Sequence, residues 1–392
     1  MTNFLTELLG KQKSKQFFKA AWPGQPMVCH GRIDRLRFAR MPELQHPRAL
    51  AKQWQGRIMA WAKPDSGLPG IDATPDQVQP LYDVGYTLFF SHVQRQVPAI
   101  RALADEFADA TGVSKDRVSC EVFFSRKGSG APPHFDGYSG FNIQLTGEKR
   151  WQLRRNEHVQ YPMTGGAMGK AADPIHYGCA RLPFPEVMPD DAEQVLTKPG
   201  SVVFVPAGYW HATQALDGDS TAIVFSMNRD SWSEKLTKEI ERRLNRTFAI
   251  SRSSPLLGTR ELYDRHRDEL EATLDALKRI VSDLEAETLM RTWLARDRPR
   301  FAIASGVVID FVDRESAQWS LEIRQRDKTF TTKMRRASAE LLYALSRSKH
   351  TLGLEELCAK VPHRAPTDVS RFADELVDIG LLRRVGPEWL DE

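Results

Sequence analysis

Between residues 117 and 228 the chain consists of short apolar runs separated by glycine and proline, a pattern that restricts the possible folds strongly. The runs are rich in β-branched and aromatic residues, which favour strands: RVSCEVFFS, GFNIQLTGEKRWQLR, GSVVFVPAGYWHATQAL and STAIVFSMN. The second run contains a Thr-Gly pair, so it predicts two strands around a turn. Short strands at this spacing are typical of a β-sandwich or barrel.

After Asp230 the pattern changes to that of helices. The run SWSEKLTKEIERRLNRTF is rich in strong helix formers, and a longer helix is predicted from about Thr259 to Leu294. In that helix, apolar residues recur at spacings of four and three and form a short heptad seam: Leu270, Leu274, Leu277, Val281 and Leu284. The seam indicates either a helix packed on its own domain or a helix pair shared by the subunits of a homodimer.

Residues 299–392 have the pattern of a separate module. The runs FAIASGVVIDF and WSLEIRQ predict strands, and three short segments predict helices, which is the layout of a winged-helix module. The third predicted helix is acidic, because it carries one basic residue, Arg371, against Asp368, Asp374, Glu375 and Asp378. A DNA-reading helix is normally basic, because it must approach phosphates. We therefore expect a scaffold or interaction role for this module and no DNA binding.

Length and cysteine usage narrow the class of protein. A chain of 392 residues is too long for one ordinary hydrophobic core and predicts two or three domains. Its four cysteines lie far apart without a Cys-x-x-Cys pair, which argues against a disulfide framework and a zinc ribbon. No run approaches the roughly 20 apolar residues of a membrane span, and the N-terminus lacks the order of a secretory signal. We therefore expect a cytoplasmic protein without a membrane segment.

Two histidines and an aspartate in the β-rich region form a candidate metal site. His134 and Asp136 stand two positions apart, so on a strand their side chains point to the same face. The best third ligand is His211, which follows a Pro-Gly turn, an apolar strand and a second turn. Two imidazoles and one carboxylate on one side of an ion leave three positions open, as in non-haem Fe(II) oxygenases. The His-x-Asp pair alone is a weak signal, and the distant histidine in an all-β segment strengthens it.

At these residues the sequence resembles the JmjC family of Fe(II)- and 2-oxoglutarate-dependent hydroxylases, and within it the bacterial ribosomal-protein oxygenases of the cupin-4 group. The stretch HFDGYSGFNIQLTGEKRW carries the likeness, with its His-x-Asp pair, a strand, and a final Gly-x-basic-x-Trp. The resemblance covers nearly the whole chain. It implies a mainly β plus α fold, with a double-stranded β-helix (jelly-roll, cupin) JmjC catalytic domain at 1–230. A helical dimerisation region at 231–298 and a winged-helix-like domain at 299–392 would follow.

The resemblance also implies roles for residues near the metal. The family's basic residue for the remote carboxylate of 2-oxoglutarate falls at Lys149, although a solvated lysine at a strand end is the plainer interpretation. Ser125, Asn142 and Ser226 are candidates for further contacts with the co-substrate, or else ordinary polar packing. The implied cofactors and co-substrates are Fe(II), 2-oxoglutarate and O2.

The predicted activity is hydroxylation of a side chain in a protein or peptide substrate, such as an arginine or histidine of a ribosomal protein. Two alternatives stay open. The chain could be a metal-binding cupin without oxygenase activity, acting as a sensor with a winged-helix output, or a hydroxylase of a small molecule or tRNA base.

Residues 156–194 form a long Gly- and Pro-rich stretch between the ligands. Such long loops are usually functional or disordered, so this stretch is a candidate part of the substrate entrance.

Overall fold

The computed structural model describes residues 4–62, 70–178, 180–228, 231–244, 260–297, 300–314, 317–325, 328–348, 350–362 and 366–385. The chain divides into two compact units, residues 1–235 and 236–392. Residues 230, 298 and 299, which bound the predicted domains, lie outside the described residues. The three-part division therefore stays a prediction.

The first unit is built mainly from strands. Its helices are α1 (Phe4–Ala20), α2 (Pro47–Ala51), α3 (Val78–Asp83) and α4 (Pro98–Thr111), and α5 (Trp232–Leu244) spans the division between the units. Its strands are β1 (Met27–Cys29), β2 (Ile58–Trp61), β3 (Ile71–Ala73), β4 (Thr87–Phe90), β5 (Val118–Ser125), β6 (Gly130–Phe135), β7 (Ser139–Thr146), β8 (Lys149–Arg154), β9 (Gly166–Ala167), β10 (Glu193–Thr197), β11 (Val202–Val205), β12 (Trp210–Ala215) and β13 (Ser220–Met227).

These strands form two antiparallel sheets that pack face to face. The larger sheet has the order β1-β11-β7-β13-β5-β4-β2-β3, and the smaller has the order β10-β8-β12-β6-β9. Leu153 and Val195 of the smaller sheet are buried in one cluster with Val203 and Val205 of the larger sheet. The predicted β-sandwich or barrel is confirmed.

The central strands of the larger sheet are buried on both faces, and alternation divides their side chains between two environments. On β5, Val122 and Phe124 join the main core, in which Phe107 of α4 and Phe17 of α1 also lie. Phe123 and Ser125 of the same strand point to the opposite face and line a cavity. The helices therefore cover one face of the sheet and leave the other for a site.

The predicted pair of strands around the Thr-Gly turn is confirmed, and the two strands belong to different sheets. β7 pairs with β11 and β13, whereas β8 pairs with β10 and β12. Gly147 at the turn has a φ of 66°, and an added Cβ would lie 2.3 Å from the carbonyl oxygen of Asp219. The backbone at Asp219, far away in the chain, fills the space beside this turn. The residue types of the turn alone do not reveal this contact.

The second unit has its own hydrophobic core. Its helices are α6 (Arg260–Ser282), α7 (Ala286–Asp297), α8 (Arg336–Arg347), α9 (Leu354–Lys360) and α10 (Pro366–Asp378). Its strands are β14 (Arg300–Ile303), β15 (Val307–Asp313), β16 (Gln318–Gln325), β17 (Lys328–Arg335), β18 (Leu352–Gly353) and β19 (Leu382–Val385). They form two antiparallel three-stranded sheets, β18-β14-β19 and β15-β16-β17. Phe301, Leu321, Leu342, Leu357 and Leu376 are buried at the centre of the core.

The long helix predicted from Thr259 to Leu294 is interrupted. Thr259 lies outside the described residues, α6 ends at Ser282, and α7 starts at Ala286. At the break the Ser282 hydroxyl donates to the carbonyl oxygen of Arg279, and such local bonds compete with helix continuation. Leu284, the last member of the predicted seam, therefore lies between two helices.

Across the part of the chain described here, none of the helices has the length and apolar character that crossing a bilayer requires.

Candidate active site

Two neighbouring strands of the smaller sheet bring the predicted ligands together. β6 and β12 are antiparallel, and His134 on β6 lies directly opposite His211 on β12. Asp136 follows the end of β6, where its backbone carbonyl accepts a hydrogen bond from the Gly208 amide at 2.7 Å. The turn before β12 is thereby tied to the aspartate, so residues 72 positions or more apart in the chain share one corner of the barrel.

The side chains of these three residues converge. The Nε2 atoms of His134 and His211 lie 4.0 and 3.6 Å from the Asp136 Oδ2 atom, and the two imidazole centroids are 4.1 Å apart. One potential ligand atom from each residue lies within 4.8 Å of the others, and no other such group of three or more His, Cys, Asp or Glu occurs among the described residues. The three residues that the sequence predicted as metal ligands therefore lie close enough together to bind one ion.

Backbone carbonyls fix the tautomers of both histidines. The Nδ1 atom of His134 lies 2.7 Å from the Pro132 carbonyl oxygen, and that of His211 lies 2.9 Å from the Tyr209 carbonyl oxygen. Because a carbonyl only accepts, each Nδ1 carries the proton and each Nε2 presents a lone pair towards Asp136. Burial, and next the neighbouring His134, lower the pKa of His211 to about 4, so its imidazole is neutral at physiological pH.

A cavity of about 220 Å³ opens beside the three ligand atoms, between the two sheets. Inward-facing residues of the smaller sheet contribute Lys149, Trp151 and Thr213, and alternate residues of the larger sheet contribute the opposite wall. The Trp151 ring is stacked on His211 with centroids 6.0 Å apart. The cavity therefore has room for a small molecule that contacts the ligand atoms from inside the barrel.

Lys149 places a cationic group inside this cavity. The residue is 4% exposed, and its Nζ atom lies 5.7 Å from the centroid of the Phe123 ring. Burial lowers the pKa of its ammonium to about 8. Among the described residues none of the carboxylates forms an ion pair with it. A buried cation without a counterion is costly, and this arrangement favours an anionic ligand.

The other three predicted contact residues divide into two groups. Ser125 and Asn142 line the cavity. The Ser125 hydroxyl accepts a hydrogen bond from Thr87, and the Asn142 amide lies 3.4 Å from the Val203 carbonyl oxygen. Ser226 does not line the cavity, because its hydroxyl donates to Glu121 at 2.6 Å in a buried polar cluster. The structure therefore brings Ser125 and Asn142 to the site and leaves Ser226 behind its wall.

Several cavity residues carried no sequence signal. Trp61 and Phe89, on β2 and β4, pack against Phe123 and form an aromatic wall. Trp61 also donates from its indole nitrogen to the Gly130 carbonyl oxygen at 2.7 Å. These two strands come from the first hundred residues, and they reach the site because β4 pairs with β5 and β2 pairs with β4.

Glu121 is a buried carboxyl group that sequence reasoning also missed. It accepts hydrogen bonds of 2.6 Å from Ser119 and Ser226, and burial raises its pKa to about 7. Burial, and next the carboxylates of Asp136 and Glu121, raise the pKa of Tyr138 far above its ordinary value. The phenol of Tyr138 thus stays protonated at the cavity wall, beside Asp136.

Comparison with known families identifies the domain that holds this site. Residues 97–235 match the family model described as the JmjC domain. These residues form a JmjC domain. The match includes β5 to β13, and with them His134, Asp136, Lys149 and His211. The expected JmjC domain is confirmed over these residues, which make up about a third of the chain. JmjC domains are the catalytic domains of 2-oxoglutarate-dependent oxygenases that use Fe(II).

Similarity to individual proteins extends beyond the JmjC domain. YxbC of Bacillus subtilis (strain 168), an uncharacterized protein, is 25% identical over 305 residues, which cover 73% of this chain and 88% of YxbC. The ribosomal protein uL16 3-hydroxylase of Escherichia coli (strain K12) is 29% identical over 100 residues, 24% of this chain and 22% of the hydroxylase. A structure of YcfD, a ribosomal oxygenase from Escherichia coli in complex with cobalt and succinic acid, has a TM-score of 0.46 and 16% identity. That match covers 95% of this chain and 98% of YcfD.

Proposed function

We propose that this JmjC protein hydroxylates a side chain of a protein or peptide, with Fe(II), 2-oxoglutarate and O2. The observation that carries the proposal is the position of Lys149, a buried cation without a carboxylate partner among the described residues, in the same cavity as the three ligand atoms. A metal-binding cupin that only senses its metal would need no cation there. An oxygenase that binds a dicarboxylate needs one.

The residues present fit the metal and the co-substrate. His134 and His211 would hold Fe(II) through Nε2, and Asp136 would hold it through its carboxylate, all from one side of the ion. Lys149 would pair with the remote carboxylate of 2-oxoglutarate. When bound, iron and 2-oxoglutarate together activate O2 for insertion of an oxygen atom into a C–H bond.

The protein's own residues orient the reactants and exclude water. The two Nδ1–H···O=C bonds keep the imidazoles turned towards the metal position. Ser125 and Asn142 offer polar atoms to the co-substrate. The aromatic wall of Trp61, Phe89 and Phe123 keeps that end of the cavity apolar, which limits access of water to a reactive centre.

The similarity to a ribosomal protein hydroxylase supports a ribosomal protein as substrate. An arginine or histidine as the hydroxylated residue is part of the proposal. Such a substrate would place the enzyme in the cytoplasm.

A homodimer formed through residues 231–298 belongs to the same proposal. Three residues of the heptad seam, Leu270, Leu274 and Val281, are exposed on α6 in the single chain, and a second copy would cover them. The winged-helix-like module at 299–392 would act as a scaffold or interaction unit.

The test measures co-substrate consumption together with product. Full-length protein with Fe(II), 2-oxoglutarate, O2 and ribosomal proteins should form succinate in step with a mass increase of one oxygen atom on one of those proteins. Mass spectrometry should show the same increase in a ribosomal protein from cells with the gene, compared with cells without it. The tRNA from the two kinds of cell should have the same mass. Iron binding without any 2-oxoglutarate consumption would refute the enzyme assignment, and a modified tRNA base would refute the protein substrate.

A further inference from the structure

Residues 156–194, which separate Asp136 from His211 in the chain, are fixed to the ligand-bearing strands. β9 pairs with β6, so that Ala167 lies opposite His134, and the Met168 amide donates to the Pro133 carbonyl oxygen at 3.1 Å. Phe184 packs against both Phe135 and Trp210, with ring centroids 5.6 Å from each. Phe135 stands between two metal-ligand candidates and Trp210 precedes the third. The segment is therefore built onto the outside of the metal corner.

The outer side of this segment exposes an unusual number of large apolar side chains. Six of the twenty that are exposed among the described residues occur within 27 positions. They are defined here as the rim surface: Tyr161, Met163, Ile175, Tyr177, Leu182 and Val187. Tyr161 is 84% exposed and has a left-handed backbone with φ of 56°, which non-glycine residues rarely adopt. Strained and exposed apolar residues of this kind mark interaction sites.

Contacts connect the rim surface to the metal corner. The carbonyl group of Met163 approaches Gly137, which follows Asp136, so closely that a Cβ there would lie 2.9 Å from its oxygen. His176, between Ile175 and Tyr177, lies 3.4 Å from Thr164 and packs against Phe135. The rim surface thus begins one residue away from the ligands.

The charge of the segment differs in sign from that of the whole chain. It contains six carboxylates and two basic residues and so carries −4, within a chain of +4. Asp173 and Glu186, beside Ile175 and Val187, are exposed. An acidic surface repels nucleic acid and attracts a cationic polypeptide.

We propose that the rim surface binds a basic segment of the substrate polypeptide and guides one of its side chains to the cavity, an inference that rests on the proposed function. The apolar side chains anchor the segment, as buried aromatic anchors do at other interfaces. The surrounding carboxylates select for basic neighbours of the hydroxylated residue.

Direct binding to full-length protein tests this without relying on turnover. The probe is a fluorescein-labelled 20-residue synthetic peptide with leucines and a net charge of +6, compared with the same peptide in which glutamates replace its basic residues. The anchor variant is Tyr161→Ser with Tyr177→Ser, and the charge variant is Asp173→Lys with Glu186→Lys. The control is Asp83→Lys with Val84→Ser, one exposed acidic and one exposed apolar residue outside the segment.

We expect fluorescence anisotropy to show the basic peptide binding wild type and control equally. Each rim variant should weaken binding roughly tenfold, and the acidic peptide should bind at least about tenfold more weakly to wild type. All changes are at exposed positions, and equal melting temperatures would establish folding. Equal binding by variants and wild type, equal binding of both peptides, or no binding at all would overturn the proposal. Consumption of 2-oxoglutarate without peptide is measured separately, so loss of docking and absence of oxygenase activity give different results.

Discussion

At the residue scale, we propose that Lys149 determines which co-substrate the cavity accepts. Its ammonium group lies within a wall of aromatic and small side chains, and burial alone lowers its pKa to about 8. A dicarboxylate that reaches both this group and the metal position is bound at two ends. Selection between co-substrates therefore depends on one charge and its distance from the ligand atoms.

Replacing Lys149 with methionine should remove that charge with little change in volume. We expect the KM for 2-oxoglutarate to rise roughly 30- to 150-fold, because a charge-assisted hydrogen bond contributes about 2 to 3 kcal/mol. Steady-state succinate assays measure the change. Metal affinity is the control and should stay as in wild type, and an unchanged KM would show that another residue holds the co-substrate.

The same lysine predicts a pH dependence. The ammonium is protonated below its pKa of about 8, and deprotonation above that pH removes the partner of the anion. The KM for 2-oxoglutarate should therefore be constant at lower pH and rise by up to tenfold per pH unit above about 8. A Lys149→Arg variant, whose guanidinium stays charged, should lack this rise, and the same rise in both proteins would assign the titration to another group.

Residue types and spacings predicted the ligand set, because a His-x-Asp pair and a distant histidine can be read from the chain. Ser226 could not be assigned in this way. Its position on a strand is compatible with the cavity, but the buried carboxylate of Glu121 takes its hydroxyl. Trp61 and Phe89 reach the cavity because β4 pairs with β5 and β2 pairs with β4, which no local pattern reveals.

At the element scale, the antiparallel pairing of β6 and β12 sets the positions of the candidate ligands. Their register shifts between His211 and Thr213, and Gly130 approaches the Thr213 backbone closely. An added Cβ at Gly130 would lie 1.9 Å from the Thr213 carbonyl oxygen. The absence of a side chain at Gly130 therefore allows His134 and His211 to lie opposite each other.

Replacing Gly130 with alanine should separate the two strands. We expect a loss of roughly 2 to 3 kcal/mol of unfolding free energy and a melting temperature lower by about 5 to 10 °C, together with weaker Mn(II) binding. Gly24→Ala is the control, because its Cβ would meet no heavy atom within 4 Å. Equal melting temperatures for the two variants would contradict the close approach.

The sequence predicted which segments form helices and strands better than it predicted which strands pair with each other. The pattern around Gly147 correctly indicated β7 and β8, but the partners of each strand depend on the second sheet, which lies far away in sequence. The predicted helix from Thr259 to Leu294 is broken for three residues after Ser282. The break was not predicted, because the apolar periodicity continues across it.

At the scale of the whole molecule, the JmjC domain lies in the first compact unit and α6 lies in the second. α6 is amphipathic, but Leu270, Leu274 and Val281 are exposed in the single chain. An exposed apolar stripe of this length is costly in water, and a second copy of the helix is the partner that the heptad spacing fits.

Replacing Leu274 and Leu277 with aspartate should therefore convert a dimer into a monomer, with half the mass in light scattering. Lys278→Asp is a matched control, because it changes the net charge by the same amount at an exposed position of the same helix. It should leave the mass of the dimer unchanged. A monomeric wild type, or a dimeric double variant, would reject the seam as an interface.

The account depends most on one ion bound by His134, Asp136 and His211. A crystal structure of the full chain grown with Mn(II), with anomalous scattering recorded at the manganese edge, tests this directly. The account predicts a single strong peak in contact with the two Nε2 atoms and the Asp136 carboxylate, and its loss in His211→Ala. A peak bound by other residues, or a peak of equal strength in His211→Ala, would contradict it.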